Sequence, residues 1–238
     1  MSLKNTMSKN LSIILCTYNE AKVISNTIDE IFLHNPNAEI IIVDDNSTDD
    51  TQKIIKEKKL DHINLIARKS RGLASACLTG LLYAKYENIC WIDSNLPDLA
   101  KKIPEMIEKI NKDNIVIMSR YVEGGADYRS KKRVLTSKVI NFLCRLILNS
   151  QIKDYTSGIF AIKKSVLIDV TPICYGHGEY FIEFIYKASK MNYEILELPY
   201  KQPPDYEGIS KTAGSFLRFF VLGINYIVRI IQARFRIS

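Results

Sequence analysis

The sequence has few of the residues that build metal clusters or disulfide frameworks. Its five cysteines contain no CxxC pair, and its three histidines show no zinc-ligand spacing. Four of the cysteines lie inside apolar runs, which is typical of buried thiols in a reducing compartment. These absences argue against a zinc protein and against a disulfide-stabilised secreted protein.

We also expect no targeting or membrane-spanning segment in this sequence. Residues 1–10 form a short polar tail with no apolar stretch behind its lysines, so we expect no signal peptide and a cytoplasmic protein. The apolar run between Arg218 and Arg229 has ten residues, whereas a transmembrane helix needs roughly 20. No glycine-rich dinucleotide fingerprint follows the first apolar segment, where the sequence reads CTYNEAK, so a nicotinamide enzyme is not expected.

What the chain does contain is an ordinary globular composition with an excess of positive charge. Of its 238 residues, 47% are apolar and 25% are charged, which predicts one large domain or a domain with a small appendage. The formal net charge of +7 favours an anionic partner, such as nucleic acid, a phosphorylated small molecule or a membrane surface. Charge alone does not choose among them.

Short apolar segments alternate with helical segments over the first 120 residues. The strand-like segments are 11–16, 39–45, 62–67, 88–93 and 114–119, and the helical segments lie near 20–34, 48–59, 72–86 and 98–112. Strands that are apolar on both faces and alternate with helices predict an α/β fold, with a mainly parallel central sheet flanked by helices.

Polar residues are concentrated where the predicted strands end, the place where ligands collect in open sheets of this kind. They are Thr17, Tyr18, Asn19, Glu20, Asp44, Asp45, Arg68, Asp93, Asn95, Ser119 and Arg120. A capping box formed by Ser47 and Asp50 would explain part of this concentration. It gives Asp44 and Asp45 no structural purpose, so these two are candidate binding residues.

A possible metal pair follows the fourth predicted strand. Asp93 and Asn95 are two residues apart, so their side chains point the same way. Mg²⁺ or Mn²⁺ prefers such oxygen ligands together with phosphate oxygens of a substrate, and we expect a weakened divalent-metal site here. The alternative is that Asp93 only caps a helix that begins near Pro97.

Residues 213–238 are the most distinct segment and are predicted to form an amphipathic basic helix. Its polar stripe consists of Arg218, Asn225, Arg229, Gln232 and Arg236, and most of the remaining residues are apolar. A wide apolar face beside a basic stripe favours attachment to a membrane surface through residues 214–238. A helix buried in the core or in an oligomer contact is the alternative.

A series of motifs runs through most of the chain. In order, the motifs are CTYNE, IIVDDNSTDDT, RKSRGLASACLTGL, WIDSNLPDLAKKIPEM, IMSRYVEGG, DYTSGIFAIKKSVL and GISK. Arg133, Ser137 and Asn141 add a polar line with a spacing of four residues. Together these elements resemble inverting family 2 glycosyltransferases of the GT-A fold, in the branch of dolichol-phosphate mannose synthases and polyprenyl-phosphate glycosyltransferases. The resemblance implies a GT-A domain over residues 11–212.

The resemblance also implies roles for the matching residues. The donor-binding residues would be Thr17, Tyr18, Glu20, Asp44, Asp45, Arg68 and Lys211. Asp93 and Asn95 would form the metal and diphosphate site. The acceptor phosphate would be bound by Arg120, Arg133 and Ser137, and Glu183 would lie near the donor sugar. The catalytic residues would be Asp93, Arg120, Arg133 and Glu183.

The implied reaction moves a mannose- or glucose-type sugar from a GDP- or UDP-linked donor to a polyprenyl or dolichyl phosphate. The protein would be peripheral on the cytoplasmic face of the membrane. A phosphate monoester is largely a dianion at neutral pH and needs no strong general base, whereas arginines and a divalent cation suit two anionic substrates. Nucleic acid is then not an expected partner, and a homo-oligomer is one possible assembly.

Three positions depart from the family pattern. Asn95 replaces the second aspartate of D-x-D, Pro97 stands where a polar residue is frequent, and Asp205 takes the place of an arginine ahead of GISK. One alternative is therefore a weak or inactive relative that binds nucleotide, lipid phosphate or a partner glycosyltransferase. Another is transfer to a sugar hydroxyl, with Glu179 or Glu183 as the base.

Overall fold

The computed structural model describes residues 10–204 and 216–237, with the backbone alone for 216–222. Seven strands form one sheet: β1 Leu11–Thr17, β2 Glu39–Asp44, β3 Ile63–Ala67, β4 Asn88–Trp91, β5 Asn114–Ser119, β7 Phe160–Lys163 and β8 Glu194–Pro199. Their order across the sheet is β3-β2-β1-β4-β7-β5-β8. A separate parallel ladder joins β6 Ala126–Asp127 to β9 Lys201–Gln202.

The direction of the strands confirms the predicted, mainly parallel sheet. β1 pairs in parallel with β2 and β4, β2 with β3, and β5 with β8. β7 is antiparallel to both of its neighbours. The carboxyl ends of β1, β2 and β4 therefore meet at one edge of the sheet, which is where the polar residues were expected to collect.

Helices cover both faces of the sheet. They are α1 Ile24–His34, α2 Thr51–Glu57, α3 Leu73–Tyr83, α4 Ile103–Lys109, α5 Lys131–Ile147, α6 Tyr180–Lys190 and α7 Phe216–Arg236. On β1, Ile13 belongs to an apolar cluster with Ile28 of α1, whereas Ile14 belongs to a second cluster with Leu81 of α3. This alternation explains why the strands are apolar on both faces.

The predicted capping box of Ser47 and Asp50 is wrong. Asp50 stands at the N-cap of α2 but makes no side-chain capping hydrogen bond. The backbone N–H and the hydroxyl of Ser47 instead donate to Asp44, at 2.9 and 2.5 Å. The carboxylate of Asp44 competes successfully for Ser47 because it is fully buried and needs donors.

The C-terminal segment is helical as predicted, but its basic stripe does not all face outward. α7 packs against α5 and α6, and Arg229 is buried there because it pairs with Glu183. On the opposite side of α7, apolar residues such as Ile231 and Phe235 are exposed. Within the part of the chain that the structure describes, no helix combines the length and the apolar content required to cross a membrane.

Candidate active site

An open cavity of about 730 Å³ lies beyond the carboxyl ends of β1, β2 and β4. Most of the residues singled out in the sequence line it. They are Thr17, Tyr18, Glu20, Asp45, Asp93, Asn95, Arg120, Arg133 and Ser137. The strand ends contribute the first six, and β5 and α5 contribute the other three, so the cavity joins two groups of opposite charge.

The first group is a carboxylate wall, formed by Glu20, Asp45 and Asp93. Asp45 is held firmly, because Arg68 donates to it through Nε at 2.8 Å and Nη2 at 2.5 Å. The backbone N–H of Gly72 also donates to Asp45, at 2.7 Å. Arg68 itself does not line the cavity; it orients Asp45, and its predicted contact with a donor stays a prediction.

Asp93 carries a perturbed carboxyl group. Desolvation and the charge of Glu20 raise the pKa of Asp93 to about 6, against the lowering effect of Arg120, Arg129 and Arg133. Asp93 does not serve as a helix cap, since the short 3₁₀ helix Pro97–Lys102 has no side-chain capping hydrogen bond. The alternative interpretation of Asp93 as a cap is therefore wrong.

Asp93 and Asn95 both line the cavity, two residues apart. Among the described residues, no group of three or more Asp, Glu, His or Cys side chains is arranged to hold a metal. One carboxylate and one amide oxygen fit a cation such as Mg²⁺, which commonly takes one or two protein ligands and completes its shell with water and substrate phosphates. The donor set thus fits a metal that binds together with a phosphorylated substrate.

The second group is an arginine wall, formed by Arg120, Arg129 and Arg133. Arg120 is buried and makes a two-pronged pair with Asp154, with Nε–Oδ2 at 2.8 Å and Nη2–Oδ1 at 2.7 Å. Arg129 pairs in the same way with Asp127, at 2.8 and 2.6 Å. Although burial raises it, the bonds and charge of Arg129 hold the pKa of Asp127 below its ordinary value.

The predicted polar line on α5 faces the segment that carries Asp154. Ser137 and Thr156 share a hydrogen bond of 2.9 Å between their hydroxyls, and Asn141 Nδ2 donates to Thr156 at 2.8 Å. Asn141 also accepts the backbone N–H of Tyr155 at 2.6 Å. The line therefore joins α5, which carries Arg133, to the loop before β7, which carries Asp154, the partner of Arg120.

Besides Arg68, two predicted site residues, Asp44 and Glu183, do not line the cavity. Asp44 is fully buried and accepts hydrogen bonds from Thr17 at 2.7 Å and Gln52 at 2.6 Å in addition to Ser47. Glu183 is buried on α6, where Arg229 Nη1 donates to it at 2.9 Å. Both carboxylates are engaged by partners within the fold, and their predicted contacts with a donor stay predictions.

The two remaining candidate residues are Glu179 and Lys211. Glu179 does not line the cavity and accepts the backbone N–H of His177 at 2.9 Å. Lys211 lies outside the described residues, so its predicted place beside the donor stays a prediction.

Several cavity residues were not predicted from the sequence. Arg71 lies with its guanidinium carbon 3.4 Å from the centroid of the Tyr18 ring, and both line the cavity with Arg129, His177 and Tyr226. The motif RKSRG contains Arg71 and could have suggested it. His177 and Tyr226 lie in segments with no recognisable spacing to the other site residues.

The fold and the cavity together define an α/β protein with a polar site at the carboxyl edge of a mainly parallel sheet. Residues 12–171, more than half of the chain, match the profile of glycosyl transferase family 2. The chain belongs to this family, and the resemblance noted in the sequence is confirmed.

Two curated relatives are similar over most of this chain. A dolichol-phosphate mannosyltransferase of Pyrococcus furiosus is 32% identical over 214 residues, covering 86% of this chain and 59% of that protein. A polyprenol monophosphomannose synthase of Mycolicibacterium smegmatis is 27% identical over 217 residues, covering 87% of this chain and 82% of that protein. The chain thus spans only 59% of the length of the archaeal relative.

Solved structures share the fold at low sequence identity. Glucosyl-3-phosphoglycerate synthase from Mycobacterium tuberculosis, crystallised with UDP, has a TM-score of 0.71 and 16% identity, covering 97% of this chain and 82% of that chain. A second crystal of that enzyme holds Mn²⁺, UDP and glucosyl-3-phosphoglycerate, with a TM-score of 0.70 and 16% identity, covering 96% of this chain and 81% of that chain. These likenesses support the GT-A fold.

The buried contacts of Asp44 lead to a stability prediction. Replacing Asp44 with Ala removes the acceptor of four donor groups on three residues, so we expect the free energy of unfolding to fall by about 3 kcal/mol in urea titrations. Asp50→Ala is the matched control, since Asp50 is exposed, and its effect should stay within about 0.5 kcal/mol. A larger loss for Asp50 than for Asp44 would restore the capping box.

Proposed function

We propose that the protein transfers a sugar, with inversion, from a nucleotide-sugar donor to a polyprenyl phosphate. The observation that carries the proposal is that one cavity brings together a carboxylate wall and an arginine wall. The first wall suits a sugar nucleotide and its cation, and the second suits the phosphate of an acceptor. The names of the two curated relatives, which refer to dolichol and polyprenol phosphates, support the same acceptor class.

Residues of the carboxylate wall would bind the donor. Tyr18 with the stacked Arg71 offers a flat surface for a nucleobase, and Asp45, oriented by Arg68, can accept hydrogen bonds from ribose hydroxyls. Asp93 and Asn95 would hold a Mg²⁺ or Mn²⁺ ion against the diphosphate. When bound, the cation would offset negative charge on the leaving nucleoside diphosphate.

Residues of the arginine wall would bind and orient the acceptor. A phosphate monoester is already mostly a dianion at neutral pH, so it can attack the anomeric carbon without a strong general base. The protein then has to hold two anions close together, which the guanidinium groups of Arg120, Arg129 and Arg133 favour. The pairing of Arg120 with Asp154 and of Arg129 with Asp127 limits the motion of these two guanidinium groups at the cavity.

The carboxylates suggested as bases for a sugar hydroxyl are engaged elsewhere. Glu179 binds the backbone of His177, and Glu183 is paired with Arg229. Because neither lines the cavity, transfer to a lipid phosphate is the better supported reaction.

The sugar is mannose- or glucose-type, and the nucleotide is GDP or UDP. The archaeal relative is named as a mannosyltransferase, which favours mannose. The mycobacterial neighbour was crystallised with UDP, which favours uridine as the base. These two indications differ, so a panel of donors decides between them.

A lipid acceptor implies contact with a membrane, and we propose that the protein is peripheral on its cytoplasmic face. α5 exposes an apolar stripe at a spacing of three to four residues, and α7, which packs against α5, exposes a second stripe. The stripes consist of Leu135, Val139, Phe142 and Leu146 on α5, and of Ile224, Ile227, Val228, Ile231 and Phe235 on α7. Exposed Lys132, Lys138, Arg145 and Arg234 on the same helices favour anionic headgroups.

The transfer reaction is tested with membranes, Mn²⁺ and radiolabelled nucleotide sugars. We expect a lipid-extractable product with one donor, and Asp93→Ala should reduce its rate by about 100-fold or more because the cation loses its carboxylate. Asn95→Asp should tighten Mn²⁺ binding in the presence of a nucleoside diphosphate. The control is Asp98→Ala, since Asp98 is exposed five residues away and should not matter. Full activity of Asp93→Ala would remove the metal site from the account.

The membrane attachment is tested by sedimentation with anionic vesicles. Replacing Phe142, Leu146, Ile231 and Phe235 together with serine should lower binding by about tenfold or more, since their apolar area would no longer be buried in the interface. Leu33 and Leu82 are also exposed but lie on α1 and α3, so their double replacement with serine is the matched control. Equal binding of the two variants would rule out these stripes as the contact.

A further inference from the structure

The helix α7 contacts both ends of the segment 175–178, part of which forms a wall of the cavity. At one end, the Tyr175 hydroxyl accepts hydrogen bonds from Arg229 Nη1 at 3.2 Å and Arg236 Nη1 at 2.9 Å. At the other end, the Tyr226 hydroxyl lies so close to Gly178 that a Cβ atom there would overlap it. The position of this wall therefore depends on α7.

A buried ion pair fixes α7 in this place. Arg229 and Glu183 are 6% and 8% exposed, and Arg229 Nη1 lies 2.9 Å from Glu183 Oε2. The guanidinium carbon of Arg229 also lies 4.7 Å from the centroid of the Tyr175 ring. Removal of either partner leaves a buried charge unpaired, which is far more costly than removal of an exposed pair. The pair thus ties α7 to α6 at the level of the cavity.

Tyr226 extends from α7 into the cavity lining, beside His177 and Gly178. Burial and the charge of Glu179 raise the pKa of its phenol, against the lowering effect of Arg120, Arg129 and Arg133. The hydroxyl is therefore protonated at neutral pH and can donate a hydrogen bond to an anion. α7 packs against α5, the helix that carries Arg133, and Tyr226 lines the same cavity as Arg133, so Tyr226 lies at the arginine end of the cavity.

We infer that Tyr226 contacts the phosphate of the acceptor, and that Glu183 and Arg229 are positioning residues that hold it there. The inference rests on the proposed transfer to a polyprenyl phosphate. It adds a neutral hydroxyl donor to the charged donors of the arginine wall. It also makes α7 a part of the acceptor site, since the same helix carries an exposed apolar stripe on its other side.

The test measures equilibrium binding of a short-chain polyprenyl phosphate and of GDP and UDP to the full chain. Tyr226→Phe keeps the ring and removes the hydroxyl, so the fold should be retained. We expect about tenfold or more weaker binding of the lipid phosphate, the usual effect of losing a hydrogen bond to a charged group, with nucleotide affinity unchanged. Asn225→Ala is the matched control, because Asn225 is the exposed neighbour of Tyr226 on α7.

The positioning role is tested by a pair of variants at one residue. Arg229→Met should raise the KM for the lipid phosphate more than the KM for the donor, and Arg229→Lys, which retains the charge opposite Glu183, should restore most of the loss. If the wild type binds the lipid phosphate and Tyr226→Phe binds it equally well, the inference is overturned while the proposed function stands. If the wild type binds no polyprenyl phosphate, both are overturned.

Discussion

The site depends on one constraint: several groups of like charge lie close together in each wall of the cavity. Arg120, Arg129 and Arg133 line one wall of a cavity, and a buried guanidinium is tolerated only with a partner that compensates its charge. Asp154 and Asp127 supply that compensation from behind the wall, each through two hydrogen bonds. Their presence explains why the loop before β7 and the β6–β9 ladder, which look peripheral, pack against the cavity.

The opposite wall follows the same principle with the charges reversed. Asp45 is oriented by Arg68, and Asp93 lies near Glu20, which helps to raise its pKa to about 6. A cation or a positively charged ligand group would relieve that repulsion, whereas an anion on this side requires a cation with it. The two walls together favour a pair of anionic substrates that meet between them.

The sequence predicted the sheet and most of the cavity because both follow from local pattern. Parallel strands place their carboxyl ends together, so polar residues after β1, β2 and β4 had to converge. The local pattern could not predict which of the polar residues do not line the cavity. Asp44 accepts hydrogen bonds from Ser47 and Gln52. Glu183 accepts a hydrogen bond from Arg229, which is 46 residues further along the chain. Tyr226 reaches the cavity only because α7 folds back onto α6, which no motif spacing reports.

The proposed reaction requires one cavity to hold two anionic substrates at once, and a simultaneous-binding experiment tests this requirement. The protein is titrated with a short-chain polyprenyl phosphate in the presence and absence of saturating nucleoside diphosphate and Mn²⁺. The two walls predict that both ligands occupy the cavity together, so the lipid phosphate still saturates when the nucleotide is bound. Mutually exclusive binding, in which each ligand displaces the other, would contradict the account.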